Sequence, residues 1–384
     1  MALDTNKPTN PKKQNRFLRN VILKGVLLFV LLNFSLGLVP QGGTAGRLSL
    51  YNHLIPGRVR LPFGENPEEA YNLSLYDLEA MFASHEINAG PKPQDEYRIL
   101  LIGDSATWGT LLKPEDTLSG LINAENLTAC DGRQVRAYNL AYPTLSLVKD
   151  LMILDAALRF EPDLIIWPVT LESFPKKLQI DTPLVANNPQ RVRPLLSEFD
   201  LQLEAYNEAF EETTYWDRTL IGRRRAILDA IQLQLYGVMW AATGIDQTYP
   251  TDYTPAQRDF EDGKDTFQEW GPPNLPLHLL ATEVLKAGAA NAGDVPVLVV
   301  NEPILISQGE NNDLRYNHFY PRWAYDQYRL MMAERSVYAD WKYVDLWDFV
   351  PPEEFTNSAV HLTPQGMTVY FQALLPTIQN AVCP

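Results

Sequence analysis

Two short segments at opposite ends of the chain hold the residue types that acyl chemistry uses. The first is Ile99-Leu100-Leu101-Ile102-Gly103-Asp104-Ser105, an apolar run that stops on Gly-Asp-Ser. A run rich in Ile and Leu and bounded by glycine reads as a buried parallel strand, and a serine just past its C-terminal end lies where open α/β sheets keep their sites. Ser105 is therefore a candidate nucleophile. Gly-Asp-Ser is also an ordinary turn sequence, so the serine counts only with a partner. Ala359-Val360-His361-Leu362-Thr363-Pro364 supplies one, with His361 just ahead of a helix start that has Thr363 as N-cap and Pro364 at the first helical position. A serine becomes a nucleophile when an adjacent base takes its proton, and His361 is the candidate base.

The elements that must position this pair follow from the pattern between them. Strand-like runs recur at 98–102, 134–140, 163–169, 295–300 and 342–346, and helical patterns at 145–160, 323–335 and 368–382 alternate with them. Such alternation predicts an α/β fold, a parallel sheet covered on both faces. The two motifs belong to one site, so residues 95–384 are expected to form one domain, although 384 residues would allow two. Residues 174–290 break the rhythm and read as an insertion after the third strand, either a substrate lid or a structural cap. Within it, Arg223, Arg224 and Arg225 read as a solvated run of charge, with an anionic substrate group as the alternative. The cluster from Tyr316 to Trp323 reads as core packing, or as lining of the site. Residues 40–94 lack a long periodic run and suggest a linker or packing arm.

The paired motifs resemble those of the SGNH or GDSL hydrolases, a family of esterases, lipases, carbohydrate deacetylases and related acyltransferases. The resemblance runs from about residue 95 to residue 382, apart from the insertion, and implies a flavodoxin-like three-layer α/β/α fold, with Ser105 as nucleophile and His361 as base. Three family positions are altered. The glycine that lends a backbone N–H after the second strand aligns with Thr144, which keeps the backbone donor. The oxyanion-binding Asn after the third strand aligns with Glu172, whose carboxylate repels an oxyanion when ionised and donates to it only when protonated. The aspartate expected three residues before His361 is Ser358, with Asn357 one residue further back, and neither is charged. A Ser-His dyad is the conservative expectation, with Asp345, Asp348, Glu353 or Glu354 as alternative acids within reach of the imidazole from the preceding loop. Asn301, directly after the run Val295–Val300, is expected to replace the missing oxyanion donor, unless Asn301-Glu302 simply ends a strand before Pro303.

Residues 21–39 are nearly all apolar and make a helix of about 28 Å at ~1.5 Å per residue, which just spans a hydrocarbon core if Lys24 snorkels. Basic residues fill the preceding segment 1–20, so the positive-inside rule expects a cytoplasmic N-terminus and an extracytoplasmic remainder. A cleaved signal peptide is the competing reading, but no small-x-small site follows. The formal net charge of -15 argues against nucleic acid or an anionic membrane surface as the chain's partner. Cys130 and Cys383 form either one bridge or two free thiols. There is no phosphate-binding glycine loop and no metal motif, so no cofactor or metal is expected. Three functions fit: hydrolysis of an acylated small molecule or carbohydrate, O-acyl transfer to an envelope polysaccharide, or non-catalytic binding on the same fold.

Overall fold

The computed structural model describes residues 11–38, 50–63, 76–243 and 265–384. The chain divides into two units, Met1–Gly42 with Glu212–Leu233, and Gly43–Glu211 with Gln234–Pro384. In the first unit, Pro11–Gly37 is a single helix, longer at its N-terminus than the apolar run alone. Its portion Lys12–Gly37 has a mean hydropathy of 1.8 and is long and apolar enough to cross a membrane.

The second unit is built on five parallel strands, β1 (Glu96–Leu101), β2 (Gln134–Asn139), β3 (Leu164–Val169), β4 (Val297–Asn301) and β5 (Lys342–Asp345). Their spatial order is β2-β1-β3-β4-β5, the flavodoxin-like doubly wound order, and all neighbours pair in parallel. Side chains alternate between the two faces of the sheet. Leu100, Ile102, Ile165, Trp167, Val297 and Val299 enter one apolar cluster, and Ile99, Leu101, Leu164, Ile166, Leu298 and Val300 enter the other. Helices Leu147–Ala157, Glu283–Ala292 and Arg322–Ser336 cover the first face, and Leu118–Ala124 and Pro364–Val382 the second. The result is a three-layer α/β/α fold.

One segment differs from its sequence reading, and another takes one of the two forms expected of it. The stretch 174–290 is not wholly apart from the sheet's rhythm, because helix Glu283–Ala292 overlaps its end and is the crossover into β4. Its Gly288 lies against the Trp167 ring, where a Cβ would come within 2.4 Å of a ring carbon. The start of the same stretch is also core, with Ile180, Leu184, Val185, Val192 and Phe210 buried in the first cluster. Residues 50–63 and 76–94 pack against the domain, with Leu61, Met81, Phe82 and Ile87 buried. Cys130 and Cys383 are bridged, their Cα atoms 4.8 Å apart, which ties the loop before β2 to the end of the last helix.

Candidate active site

β1 ends at Leu101, and Gly103-Asp104 turns the chain into a four-residue helix, Ser105–Trp108, that carries the serine at its first position. Gly103 has φ +150°, and a Cβ there would sit 2.7 Å from Thr107 Oγ1 and 3.3 Å from the Pro168 carbonyl on the neighbouring strand. The turn is therefore too tight for a side chain. Asp104 caps the helix, its Oδ1 accepting from Ala106 N at 2.8 Å. As the first helical residue, Ser105 has a backbone N–H with no intrahelical acceptor.

His361 comes from a hairpin-like loop. Phe355 and Leu362 form an antiparallel bridge, and Thr356 N donates to the His361 carbonyl at 2.8 Å. That closure brings the two ends of the loop together, so His361 Nδ1 lies 2.9 Å from Asn357 Oδ1 while Nε2 lies 2.8 Å from Ser105 Oγ. Nδ1–H donates to the amide oxygen, which leaves the Nε2 lone pair facing the serine hydroxyl. Burial holds His361 well below its ordinary range, at about 4, so the ring is neutral near pH 7 and able to take a proton. The constellation is a Ser-His-Asn chain, one link longer than the expected dyad.

The other sequence candidates fall in different places. No acid from the preceding loop is hydrogen-bonded to His361 among the described residues: Asp345 binds Asn301 and Arg329, and Glu354 accepts from Thr363. Ser358 is half-buried one residue from Asn357. Asn301 is fully buried, with Nδ2 donating to Asp345 at 2.8 Å and Oδ1 accepting from Tyr325 and Tyr328. Its amide thus ties β4 to β5 and to a helix, the strand-ending role, and is engaged there rather than offered to an oxyanion. Thr144 N–H donates to the Tyr142 carbonyl at 2.7 Å, so the backbone donor expected there is committed to a turn. Glu172 sits in a short helical turn just past β3, where Gln268 donates to its carboxylate. Burial raises the Glu172 carboxyl to about 7, so it is protonated on the acid side of neutrality and can then donate.

Behind the serine lies a polar layer that sequence patterning did not reveal. Lys149 is fully buried, and its Nζ donates to the carbonyls of Gly103 at 2.5 Å and Tyr142 at 2.8 Å while pairing with Asp150 at 2.6 Å. It pins the β1 turn to the loop after β2. Burial raises the Asp150 carboxyl to about 6 against the lowering effect of Lys149. Buried Asp104 and Glu302 interact; burial and then the Asp104 charge push the Glu302 carboxyl well up, and burial raises Asp104 as well. From the other side, Asn139 Nδ2 donates to the carbonyls of Thr107 and Trp108, and its own carbonyl accepts from buried His85 Nε2. Arg60 stacks on Trp108 and donates to the carbonyls of Gly109 and Leu112. The only sequence-level signal for this layer was one Lys-Asp pair, 149–150, at the start of an otherwise apolar helix.

No family model and no curated protein sequence matches the chain. Among solved structures, the chain is similar to a carbohydrate acetylesterase family member from Sinorhizobium meliloti, at 13% identity, over 74% of this chain and 98% of that one, with a TM-score of 0.32. It is also similar to a member of the lipolytic G-D-S-L family from Veillonella parvula, at 12% identity, over 73% of this chain and 96% of that one, with a TM-score of 0.30. The fold of this chain follows from its own strand order.

Proposed function

We propose that this chain is a membrane-anchored, extracytoplasmic serine hydrolase acting on ester-linked acyl groups. The observation that carries the reading is the hydrogen-bonded chain from Ser105 through neutral His361 to Asn357. In the proposed reaction Ser105 Oγ attacks the acyl carbonyl carbon as its proton passes to His361 Nε2. The tetrahedral oxyanion is met by the Ser105 backbone N–H and by the protonated Glu172 carboxyl. Collapse breaks the bond to the alcohol oxygen, which takes the proton from Nε2 and leaves an acyl-serine. Water then attacks, returns its proton through the same nitrogen, and frees the acid.

Retention of both Ser105 and His361 in hydrogen-bond contact supports catalysis over a binding role, because a binding scaffold needs neither side chain. The Cys130–Cys383 bridge supports an oxidising compartment, and the apolar helix Pro11–Gly37 supports anchoring. The test is labelling of the full chain in detergent micelles with a serine-reactive fluorophosphonate. Wild type is expected to label, and Ser105→Ala and His361→Ala are not. A folded wild type that does not label would return the chain to the class of binding proteins.

A further inference from the structure

The turn segment 215–221 closes over the C-terminal end of the apolar helix within the first unit. Tyr215 Oη donates to the Phe34 carbonyl at 2.7 Å, the two rings stack with centroids 6.2 Å apart, and Ile221 N donates to Asn33 Oδ1 at 2.8 Å. Asn33 is buried by this contact, the one strongly polar side chain near that end of the helix. Trp216 stays 51% exposed beside it, an aromatic of the kind enriched at membrane–water boundaries.

Three further features converge on the same segment. Arg223 Nε and Nη2 and Arg218 Nε are buried atoms with no hydrogen-bond partner among the described residues. Neither arginine forms an ion pair there, and each stands as a cation close to the other. Directly after them runs the helix Arg224–Thr243, on which Leu228 and Ile231, at the i, i+3 spacing of one face, are 65% and 52% exposed. Arg224 and Arg225 flank the start of that stripe. An exposed apolar stripe with arginines at its edge is the pattern of a helix that lies in a bilayer interface.

We infer that residues 215–233 dock on a phospholipid surface, Arg218 and Arg223 taking a headgroup phosphate and Leu228 and Ile231 entering the acyl boundary. The inference rests on the anchoring read from Pro11–Gly37, because the segment caps the end of that helix which the basic N-terminus would leave outside. The occupant is a bilayer because the cap on the apolar helix places the stripe's N-terminal end at the helix mouth, and because two guanidinium groups without an ion-pair partner, that of Arg218 over the Tyr215 ring, match a phosphate. The net charge of -15 speaks against a general attraction to anionic lipid. Charges beyond about 8 Å are screened, however, so the cluster acts locally.

The test uses the full chain in vesicles of equal parts phosphatidylcholine and phosphatidylglycerol, with one nitroxide label each at Leu28→Cys, Ile231→Cys or Ala226→Cys. Ala226 is exposed on the opposite face of the second helix, and the native cysteines are bridged. Collisions with oxygen and with an aqueous nickel chelate are compared. The label at 231 is expected to meet the chelate several-fold less than the label at 226. Arg218→Gln with Arg223→Gln should bring the chelate access of the label at 231 up to that of the label at 226, because each arginine contributes about fivefold to partition of the segment onto the bilayer. If the label at 28 is lipid-buried while those at 231 and 226 are equally open to the chelate, the docking is overturned and the anchor stands. If the label at 28 is also in water, anchor and docking fall together. Spin–spin broadening at 231 that disappears on dilution with unlabelled chain would mean a second copy covers the stripe, which also overturns the proposal.

Discussion

Replacing Asn357 by aspartate tests whether the amide is a working member of the site. The amide oxygen already accepts from His361 Nδ1 at 2.9 Å, so the productive tautomer is set and the change adds only a charge. Two unit charges about 4 Å apart interact by about 1 kcal/mol in bulk water and about 4 kcal/mol at an effective dielectric near 20. Asn357 is exposed while His361 is mostly buried, so an intermediate value of about 2 kcal/mol applies. That stabilises the imidazolium formed as Ser105 attacks, raising kcat/KM for p-nitrophenyl acetate by about tenfold to thirtyfold. It also moves the His361 titration from about 4 to about 5.5, so the acid limb of the pH–rate profile shifts up by ~1.5 units while the neutral-pH base stays unprotonated. The gain is far below the roughly 10⁴-fold effect of the reverse change in serine proteases, where the acid is buried and the amide favours the wrong tautomer. The profile is read with full chain in micelles from pH 3 to pH 9. An Asn357→Asp enzyme with unchanged rate and an unmoved acid limb would show that the Asn357 contact does not orient the base.

Glu172→Gln keeps a hydrogen-bond donor and removes a titration. Wild-type kcat/KM should fall about tenfold per pH unit above pH ~7, as the carboxyl ionises and faces the oxyanion, whereas Glu172→Gln should stay flat. An alkaline limb that persists in the variant would remove Glu172 from the oxyanion site. The same raised pKa affects stability: between pH 4.5 and about 7 the folded state holds the Glu172 proton that the unfolded state has lost, so stability falls as pH rises, and Glu172→Gln should reduce that slope by up to one proton, leaving the share of Asp150 and the other raised carboxyls. Lys149→Met leaves the Gly103 and Tyr142 carbonyls and Asp150 without their buried cation, and should lower stability by about 3 kcal/mol in urea titration. Adding Asp150→Asn should recover part of the loss, because the uncompensated carboxylate is then gone. A single variant within about 0.5 kcal/mol of wild type would refute the pinning role.

What could be read from the chain divides by the kind of signal each element carries. β3 and β4 were legible because parallel strands covered on both faces are apolar over nearly their whole length, and both are buried at every position. Helix Glu283–Ala292 was hidden for the converse reason. It meets the sheet through Ala287, Gly288 and Ala289, whose small size lets Trp167 lie close but gives little amphipathic contrast. Lys149, Asn139 and the Asp104–Glu302 pair were not legible, since a polar residue inside an apolar run looks like an exposed position until its tertiary partners are known. Lys149 is decided by two carbonyls on other segments, and Glu302 by a carboxyl almost 200 residues away.

The hardest case was the orienting residue itself. Counting back from His361 points to Ser358, yet the orienting group is set by where the loop closes and not by a fixed offset. Here the Phe355–Leu362 bridge, with Thr356 N on the His361 carbonyl, places residue 357 directly across from the imidazole. The amide is thus found where the closure of the loop demands a hydrogen-bond acceptor, and an acceptor without charge is compatible with a base held near 4 because no anion is present to raise it. A site so arranged keeps the geometry of a triad while giving up the electrostatic help of an acid, and that missing help is the quantity the Asn357→Asp enzyme measures.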